Sequence, residues 1–467
     1  MRIDTALFLL FLGVIAVVQA MMPGRGRVVA LLCASLIFYA VSSVSYLILL
    51  LGLCGLNYWA ALSLSQNLDQ RRRTWVFTGT VLVNLAVLIF FKYAADVITQ
   101  GMLRWNGHAP AAEAGFAVPL GISYFTFQML ACVTDAYRQT WRIDHGFTNF
   151  VLFGLFFPQI SSGPIPRAGP LLPQLVGGDL PVVEDRLEGV RLIAFGFFKK
   201  YVVANRINEY VTDVFKDQFG TGTLAALIGC CLNALQIYAD FSGYVDIAIG
   251  SALFFGIRLA PNFDRPFLST SVTEFWRRWH MTLSFWLRDY LYLPLLIRIR
   301  ILGKSGVVLA IIITFAVCGI WHGLTWTFLL FGIAQGLALS AEILTKSWRT
   351  KRLKRLPENV VRWSGRFYTL GFFALSQVLF RAANVPQALW IYGRLIHLNF
   401  SGGLAQLFAA RPFFFALDCV AIGSWVGVAY FHRRATSRST PWFVFLCGLL
   451  IIFLGRLGSA HFIYAKF

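Results

Sequence analysis

Two histidines stand in surroundings where an imidazole could do chemistry. His322 lies in the run Trp321-His322-Gly323, between the apolar stretches 307–320 and 324–333, and His280 closes the run WRRWH at 276–280. An ionisable ring at membrane depth is costly, so it indicates a functional residue by default. A buried imidazole is well suited to act as a general base. Two such rings predict proton-transfer chemistry on a substrate that enters or crosses a membrane.

Polar residues interrupt two further apolar segments. Pro119 and Gly121 predict a helix that begins inside the membrane, where free backbone N–H groups favour anions or carbonyl oxygens. Ser123 and Gln128 on this helix are candidate substrate-binding residues, although a polar face between packed helices would have the same pattern. The run 157–167 holds three prolines and a glycine, which predicts irregular backbone at an interface or in a cavity wall.

Two carboxylates, Asp240 and Asp246, lie within one apolar stretch of helical character. Asp240 and Tyr244 are four positions apart and share a helix face, as do Ser242 and Asp246. Carboxylates at this depth need partners, and either a structural ion pair or a substrate-binding role fits the pattern. The candidate cationic partners are Arg277, Arg278 and Arg288. The candidate binding residues of this stretch are Tyr238, Asp240 and Tyr244.

Tryptophan, arginine and tyrosine dominate the run 276–290. This composition is typical of a membrane interface. It also suits the binding of phosphate, or of the pantetheine and nucleotide parts of a cofactor. The candidate donor-binding residues are Arg277, Arg278, Trp279 and Trp321. His280 follows Arg277 by three positions, so a continuous helix would place both on one side of a pocket.

The composition indicates an all-α, polytopic integral membrane protein. Of the 467 residues, 58% are hydrophobic and 13% charged, against about a quarter charged in soluble domains. The formal charge of +20 is explained by basic cytoplasmic loops that face anionic lipid headgroups. Nucleic acid is not an expected partner, because no basic soluble module is present.

We predict about ten to twelve transmembrane helices, with broken or re-entrant helices around a central funnel. The predicted spans are 5–22, 28–43, 46–65, 75–98, 188–215, 222–256, 306–321, 324–345, 365–383, 412–431 and 441–456. The predicted broken segments are 117–138, 147–162 and 275–299. The first span is expected to be an uncleaved helix rather than a signal peptide.

Lysine and arginine in the short loops predict the orientation. Arg25 and Arg27 follow the first span, and the run 71–73 follows the third. The basic cluster 346–355 and the run 432–438 continue the alternation. Both termini are therefore predicted to be extracytoplasmic.

The cysteines and histidines do not favour a metal site. The eight cysteines include no CxxC pair and mostly fall in apolar runs, which favours buried packing. Cys318 lies four residues before His322 on the same helix face, so a nucleophilic thiol stays open there beside packing. His280 and His322 have no Cys, Asp or Glu at ligand spacing, and we predict no bound metal.

Nine runs in collinear order resemble the membrane-bound O-acyltransferase family, in particular its branch of alginate O-acetyltransferase membrane subunits. They are 119–128, 157–167, 196–200, 236–250, 262–266, 275–284, 287–294, 321–326 and 379–382. The resemblance implies one membrane-embedded acyltransferase domain over 1–467. Its core would cover roughly 80–385, with N-terminal helices in 1–75 and C-terminal helices in 386–467.

The resemblance also implies roles for residues. His322 corresponds to the catalytic histidine, and His280 to a second functional histidine that meets it at the thin centre of the funnel. Relatives carry a further histidine and an aspartate where this chain has Gln335 and Asn205. These two departures remove a third histidine role and leave the two main ones in place.

The implied reaction moves an acetyl or acyl group across the membrane. The donor would be cytoplasmic acetyl-CoA or an acyl thioester, with no resident cofactor, and the acceptor an extracytoplasmic polysaccharide such as alginate or another exopolysaccharide. Membrane lipids, a separate periplasmic or surface acetyltransferase and the polysaccharide export machinery would be partners, and the location a bacterial inner membrane.

Three alternatives stay open at this point. They are a proton-coupled transporter or channel, the transfer of D-alanyl or another acyl group to a cell-wall polymer, and a binding scaffold in an export complex. A transporter should show internal repeats with paired broken helices. The sequence shows no repeat at a fixed spacing.

Overall fold

The computed structural model describes residues 3–66, 69–94, 97–98, 118–178, 181–217, 222–398 and 412–456. Within these ranges the chain is helical, and no strand occurs. The C-terminal tail 457–467, for which we predict an extracytoplasmic position, lies outside the described residues. The all-α prediction is confirmed.

The described chain divides into two compact units, residues 1–193 with 247–260, and residues 194–246 with 261–467. The helices that begin in the first unit are α1 Ala6–Met21, α2 Gly24–Ala40, α3 Val44–Leu64, α4 Gln70–Ile89, α5 Ile122–Tyr137, α6 Phe147–Leu155, α7 Ala168–Gly177 and α8 Val183–Phe198. Short π-helical segments, Phe90–Ala94 and Lys199–Ala204, continue α4 and α8.

The helices of the second unit carry both histidines. They are α9 Asn205–Phe215, α10 Thr223–Phe254, α11 Val272–Arg278, α12 Met281–Leu287, α13 Leu293–Arg298, α14 Gly303–His322, α15 Trp326–Leu344, α16 Lys346–Leu353, α17 Glu358–Arg381, α18 Val385–Ile396, α19 Pro412–Arg434 and α20 Thr440–Leu454. Helix α10 runs on from this unit into the first at residue 247.

Six helical stretches in the described ranges are long and apolar enough to cross a membrane. They are Val44–Leu64, Gln70–Ala94, Thr223–Phe254, Arg300–His322, Trp326–Leu344 and Ser437–Leu454. The sequence estimate of ten to twelve is higher because several predicted spans form helices that are shorter or more charged. Helix α1, with 16 residues, is one of the shorter ones.

The predicted broken segments contain helices that are short or interrupted. Helix α5 begins after Gly121, whose φ is +71°. A side chain there would collide with the carbonyl oxygen of Ile160, so only glycine fits. The proline-rich run 157–167 is non-helical up to Ala168, and most of its residues are buried. The stretch 275–299 breaks into α11, α12, a π-helical turn and α13.

Buried polar groups connect the helices of the first unit. Asn57 and Asn84 exchange two amide hydrogen bonds, of 3.1 and 3.0 Å, between α3 and α4. Arg73 is buried and donates to the carbonyls of Leu64 and Tyr137, at the C-terminal ends of α3 and α5. A guanidinium suits these positions because helix ends leave carbonyls unsatisfied and carry partial negative charge. Arg73, which the sequence placed in a loop, therefore lies in the first turn of α4 and caps the C-terminal ends of two other helices.

Candidate active site

His322 is the last residue of α14 and is only 4% exposed. Aromatic rings surround it: the centroid of Phe380 is 5.0 Å away and edge-on, and those of Phe328 and Phe331 are 6.2 and 6.4 Å away. The ring of the preceding residue, Trp321, also packs against it, with the two centroids 4.6 Å apart. A ring held in this way loses rotamer freedom, so its nitrogen atoms point in a fixed direction.

Gly323 allows the close approach of these rings. Its φ is 175°, which any residue adopts, but a Cβ would lie 2.6 Å from the Phe328 ring. Glycines also bring α14 and α15 together, because a Cβ on Gly319 or Gly332 would collide with the backbone of the facing helix. Such small-residue contacts are typical of helix packing in membranes. They fix the end of α14 that carries His322.

His280 lies at the break between α11 and α12 and is 1% exposed. Its backbone takes the left-handed conformation, with φ +42° and ψ +53°, which is uncommon for a residue with a side chain. Its Nδ1 lies 3.2 Å from Oδ1 of Asn262, and the ring of Phe241 packs edge-on at 4.8 Å. Strained backbone of this kind clusters at functional sites.

Arg277 and His280, which the spacing predicted could line one side of a pocket, do not lie on one continuous helix. Helix α11 ends at Arg278, and the chain then reverses through His280 into α12. The i to i+3 relationship requires a continuous helix. Trp279 fills the space at the break, stacked on Phe275 at 5.4 Å.

A cluster of aromatic side chains supports this break. Trp279 contacts Phe263, Phe373 and Tyr238, with centroids 5.1, 4.9 and 6.0 Å away. Tyr238 itself lies among Phe263, Phe267 and Trp425. Trp279 and Tyr238, both candidate binding residues, therefore serve at least to pack the shell around His280.

A cavity of about 480 Å³ opens beside these helices in the second unit. Its lining residues are Thr273, Trp276, Arg277, Ser284, Phe285, Leu287, Arg288, Tyr292, Ile311, Thr314, Phe315, Leu339 and Ile343. The walls are mainly apolar, and two guanidiniums stand at the cavity. Both are exposed, and Arg288 pairs with Asp289 at 2.7 Å. Such a pocket suits a ligand with an anionic head and an apolar or chain-like body.

Neither histidine lines the cavity, but both lie a short distance along the chain from lining residues. Phe315 lies seven residues before His322 on α14, which corresponds to roughly 10 Å along a helix. Trp276 lies four residues before His280 and donates its indole N–H to Gln335 at 3.1 Å. Arg278 is not a lining residue, because it pairs with Glu274 at 2.8 Å.

The predicted partners of the buried carboxylates are wrong. Asp240 pairs with Lys200 at 2.5 Å, and Asp246 with Lys199 at 2.6 Å. Arg278 instead pairs with Glu274, and Arg288 with Asp289. The lysines come from the π-helical turn after α8, which sequence spacing could not bring beside α10. Lys199 also donates to Ser242 at 2.9 Å, which confirms that Ser242 and Asp246 share a face.

The remaining candidate residues lie at different places in the fold. Asp240 and Tyr244 are buried on α10, 3% exposed each. Ser123 and Gln128 lie on α5 in the first unit, where Lys92 donates to Ser123 at 3.4 Å and Gln128 donates to the Phe153 carbonyl at 2.6 Å. A shared site of these residues with the histidines, and the meeting of His280 with His322, stay predictions.

Three residues that sequence reasoning missed position the site. Asn262 binds at the His280 break, and Gln335 links Trp276 to Ser376, to which it donates at 2.8 Å. Glu342 accepts the N–H groups of Val272 and Thr273, at 2.7 and 2.9 Å, at the start of α11. A carboxylate is favourable there because a helix N-terminus carries partial positive charge. The sequence signals for them were the motif Asn262–Pro266 and the position of Gln335, where relatives carry a histidine; Glu342 had none.

Metal ligands do not cluster in the part of the chain that the structure describes. No three His, Cys, Asp or Glu side chains come together there as a metal site would require. Cys318 is buried at 2% exposure one turn before His322. The helices that line this cationic cavity also carry the two buried imidazoles, an arrangement that suits acid–base chemistry on a bound ester or thioester.

His322 and part of the cavity lie on α14 and α15, two of the helices long and apolar enough to cross a membrane. The model of the membrane-bound O-acyltransferase family matches residues 34–380. The chain belongs to this family and is a multi-pass membrane acyltransferase.

Several characterised or named proteins are similar in sequence to most of this chain. The peptidoglycan O-acetyltransferase of Helicobacter pylori is 32% identical over 400 residues, which is 79% of this chain and 73% of the relative. The probable alginate O-acetylase AlgI of Pseudomonas aeruginosa is 33% identical over 409 residues, 85% of this chain and 74% of the relative. A teichoic acid D-alanyltransferase of Streptococcus thermophilus is 30% identical over 343 residues, 67% of this chain and 77% of the relative.

Proposed function

We propose that this acyltransferase transfers an acetyl group from cytoplasmic acetyl-CoA, or an equivalent thioester, toward O-acetylation of an extracytoplasmic polysaccharide. The single observation that carries the proposal is His322, rigidly held at the end of α14, two helical turns beyond a cavity lined by Arg277 and Arg288. The similarity to O-acetylases supports the acetyl group and the polysaccharide acceptor.

His322 acts as the general base in this proposal. Its imidazole takes the proton of an acceptor hydroxyl while the hydroxyl oxygen attacks the thioester carbonyl. The carbon–sulfur bond breaks, the thiol leaves with that proton, and an ester remains. General-base assistance is worth about 10²–10⁴-fold, so positioning must supply much of the remaining acceleration. His280 provides the second imidazole, which orients donor or acceptor.

The cavity is the proposed donor site. Arg277 is an exposed lining residue of the cavity, so its charge can meet the phosphates of CoA. Trp276, Phe315 and Leu339 form an apolar channel wall suited to the pantetheine chain. Trp321, Arg278 and Trp279 then support the site from outside this cavity, and Asp240, Tyr238, Tyr244, Ser123 and Gln128 stay candidates for the acceptor side.

We further propose that a separate periplasmic or surface acetyltransferase and the polysaccharide export machinery take the acetyl group onward. Among the described residues, the segments between the helices are short connections, none of a size to hold a polymer. Deletion of that partner should leave CoA release intact and abolish polymer acetylation.

The proposed location is a bacterial inner membrane with both termini extracytoplasmic. The exposed helix α16 carries Lys346, Arg349, Lys351 and Arg352 and fits the cytoplasmic side, where basic residues collect. A phosphatase reporter, which is active only outside the cytoplasm, should be active when fused to the C-terminus.

The D-alanyltransferase relatives favour a second candidate, the transfer of a D-alanyl or other acyl group to a cell-wall polymer. The two candidates differ in the donor and share the site. Family membership favours both over a proton-coupled transporter, a channel or a scaffold. A scaffold would leave polymer acetylation unaffected when His322 is replaced.

The test is complementation of a deletion strain, with mass spectrometry of its total cell polysaccharide. Wild-type protein and His397→Gln, which changes an exposed histidine, should restore acetyl esters, and His322→Gln should not. D-alanyl esters in place of acetyl esters would support the second candidate. Full acetylation by the His322→Gln strain would overturn the proposal.

A further inference from the structure

The segment that contains Asn262 forms hydrogen bonds with the backbone on both sides of the helix break at His280. The Asn262 carbonyl accepts the N–H of Met281 at 2.9 Å, and the N–H of Asp264 donates to the Arg278 carbonyl at 2.9 Å. These two bonds hold the chain on both sides of His280. Asn262 itself is fully buried. The segment therefore fixes where the imidazole lies.

The direction of the Asn262 side-chain amide follows from its neighbours. The backbone N–H of Thr282, 3.1 Å away, can only donate, so the amide atom that faces it must be the oxygen. The Thr282 hydroxyl donates to the same oxygen at 2.9 Å. An amide turned the other way would set its own N–H₂ group against an N–H group. The acceptor Oδ1 is thus identified by chemistry.

This direction determines the proton position on His280. Nδ1 lies 3.2 Å from the acceptor Oδ1, and two acceptors do not bond, so Nδ1 must carry the hydrogen. In a neutral imidazole the other nitrogen, Nε2, then holds the lone pair. The bond that one ring nitrogen makes sets the role of the other.

We propose that Asn262 is a positioning residue that holds His280 in its Nδ1–H tautomer, so that Nε2 is the atom that accepts a hydrogen bond or proton from substrate. The role of His280 toward substrate rests on the proposed function. The tautomer rests on the contacts of Asn262 alone. An amide oxygen carries no net charge, so it orients the ring without favouring the imidazolium as a carboxylate would.

The experiment records ¹⁵N spectra of the full-length protein in lipid nanodiscs, with all histidines labelled and the His280 signals assigned from their absence in His280→Gln. Neutral imidazole shows one protonated and one unprotonated nitrogen at well-separated shifts. The variants are Asn262→Leu, which removes the acceptor, and Asn262→Asp, which keeps it. Asn233→Leu is the matched control, because it removes a buried amide of the same unit that donates to the Gln377 carbonyl.

The expected result is an Nδ1–H ring in wild type, in Asn233→Leu and in Asn262→Asp, and a changed tautomer ratio in Asn262→Leu. Acetyl transfer in Asn262→Leu should fall by about 10–100-fold in kcat, as is usual when a partner that orients a histidine is lost. In Asn262→Asp activity should return, with the acidic limb of the pH profile moved to higher pH by the added carboxylate.

An Nε2–H ring in wild type, or an unchanged tautomer in Asn262→Leu, would overturn the inference even if acyl transfer is confirmed. Conversely, an Nδ1–H ring together with full activity of His280→Gln would support the tautomer and reject the proposed role of His280. The two failures are therefore distinguishable. If Asn262→Leu does not fold, the wild-type spectrum and that of Asn262→Asp still decide the tautomer.

Discussion

The ring of Phe380 meets His322 edge-on, with their centroids 5.0 Å apart. The next residue, Arg381, is anchored by hydrogen bonds to Gln236, Asn208 and Thr212, of 3.0, 3.1 and 2.9 Å. The end of α17 is thereby tied to α9 and α10, and it presents Phe380 to the imidazole from a fixed position. The direction of His322 thus depends on a contact that is distant in sequence.

We expect Phe380→Leu to lower kcat by about tenfold while the protein still folds, because small misplacement of a reacting group is costly. Stability should fall by about 1–2 kcal/mol, as for other changes of buried side-chain shape. Phe443→Leu is the control, since Phe443 is also buried, in a cluster of residues that does not include His322. The measurements are the turnover and the thermal unfolding of both variants. Equal losses of kcat in Phe380→Leu and Phe443→Leu would show that Phe380 acts through stability alone.

Gly323→Ala should remove most activity. The added methyl would lie 2.6 Å from the Phe328 ring, so either that ring or His322 must move. We expect a fall in kcat of about tenfold or more, and partial recovery in the double variant with Phe328→Leu. Gly371→Ala is the control, because a Cβ there meets nothing within 4 Å. A double variant no better than Gly323→Ala would contradict the steric explanation.

Loss of one partner of the Lys199–Asp246 ion pair should lower the free energy of unfolding of the protein more than loss of both partners. Either Lys199→Met or Asp246→Leu leaves one charge buried and uncompensated, which costs about 3–5 kcal/mol. The double variant removes both charges and should be closer to wild type. Thermal unfolding in detergent micelles measures the double-mutant cycle. Additive losses from the two single changes would mean that the residues do not stabilise each other.

The cavity predicts a specific effect of Arg277 on donor binding. Arg277→Gln should weaken acetyl-CoA binding by about 10–100-fold, the range expected for one charge-assisted hydrogen bond, with kcat largely kept. Arg362→Gln, an exposed arginine near the start of α17, should have no effect. Titration with acetyl-CoA and with desulfo-dephospho analogues separates phosphate recognition from apolar contacts. Unchanged affinity in Arg277→Gln would place the donor elsewhere.

Local patterns in the sequence predicted the elements of the fold well. The apolar runs gave α10, α14 and α15 nearly to the residue, because a helix of this length needs only its own hydrogen bonds and apolar side chains. Proline and glycine correctly marked the interrupted segments, since they act on the backbone itself. The glycine at position 121 is an example.

Local sequence patterns could not predict which side chains that are distant in the sequence contact each other. Nothing in the spacing of Lys199 and Asp246 shows that a π-helical turn brings them to 2.6 Å. The left-handed backbone of His280 likewise follows from bonds to Asn262, which is 18 residues away in the chain. Such features depend on which helices pack together. The two histidines themselves could be selected as candidates from the sequence, because an ionisable ring within an apolar run is costly to bury.

The central claim is that His322 is the general base of acyl transfer. The most direct test is the turnover of radiolabelled acetyl-CoA by purified protein in nanodiscs, with wild type, His322→Gln and His397→Gln measured side by side. We expect His322→Gln to lose about 100-fold or more in kcat with unchanged donor affinity, and His397→Gln to match wild type. A His322→Gln protein that turns over acetyl-CoA at the wild-type rate would contradict the account.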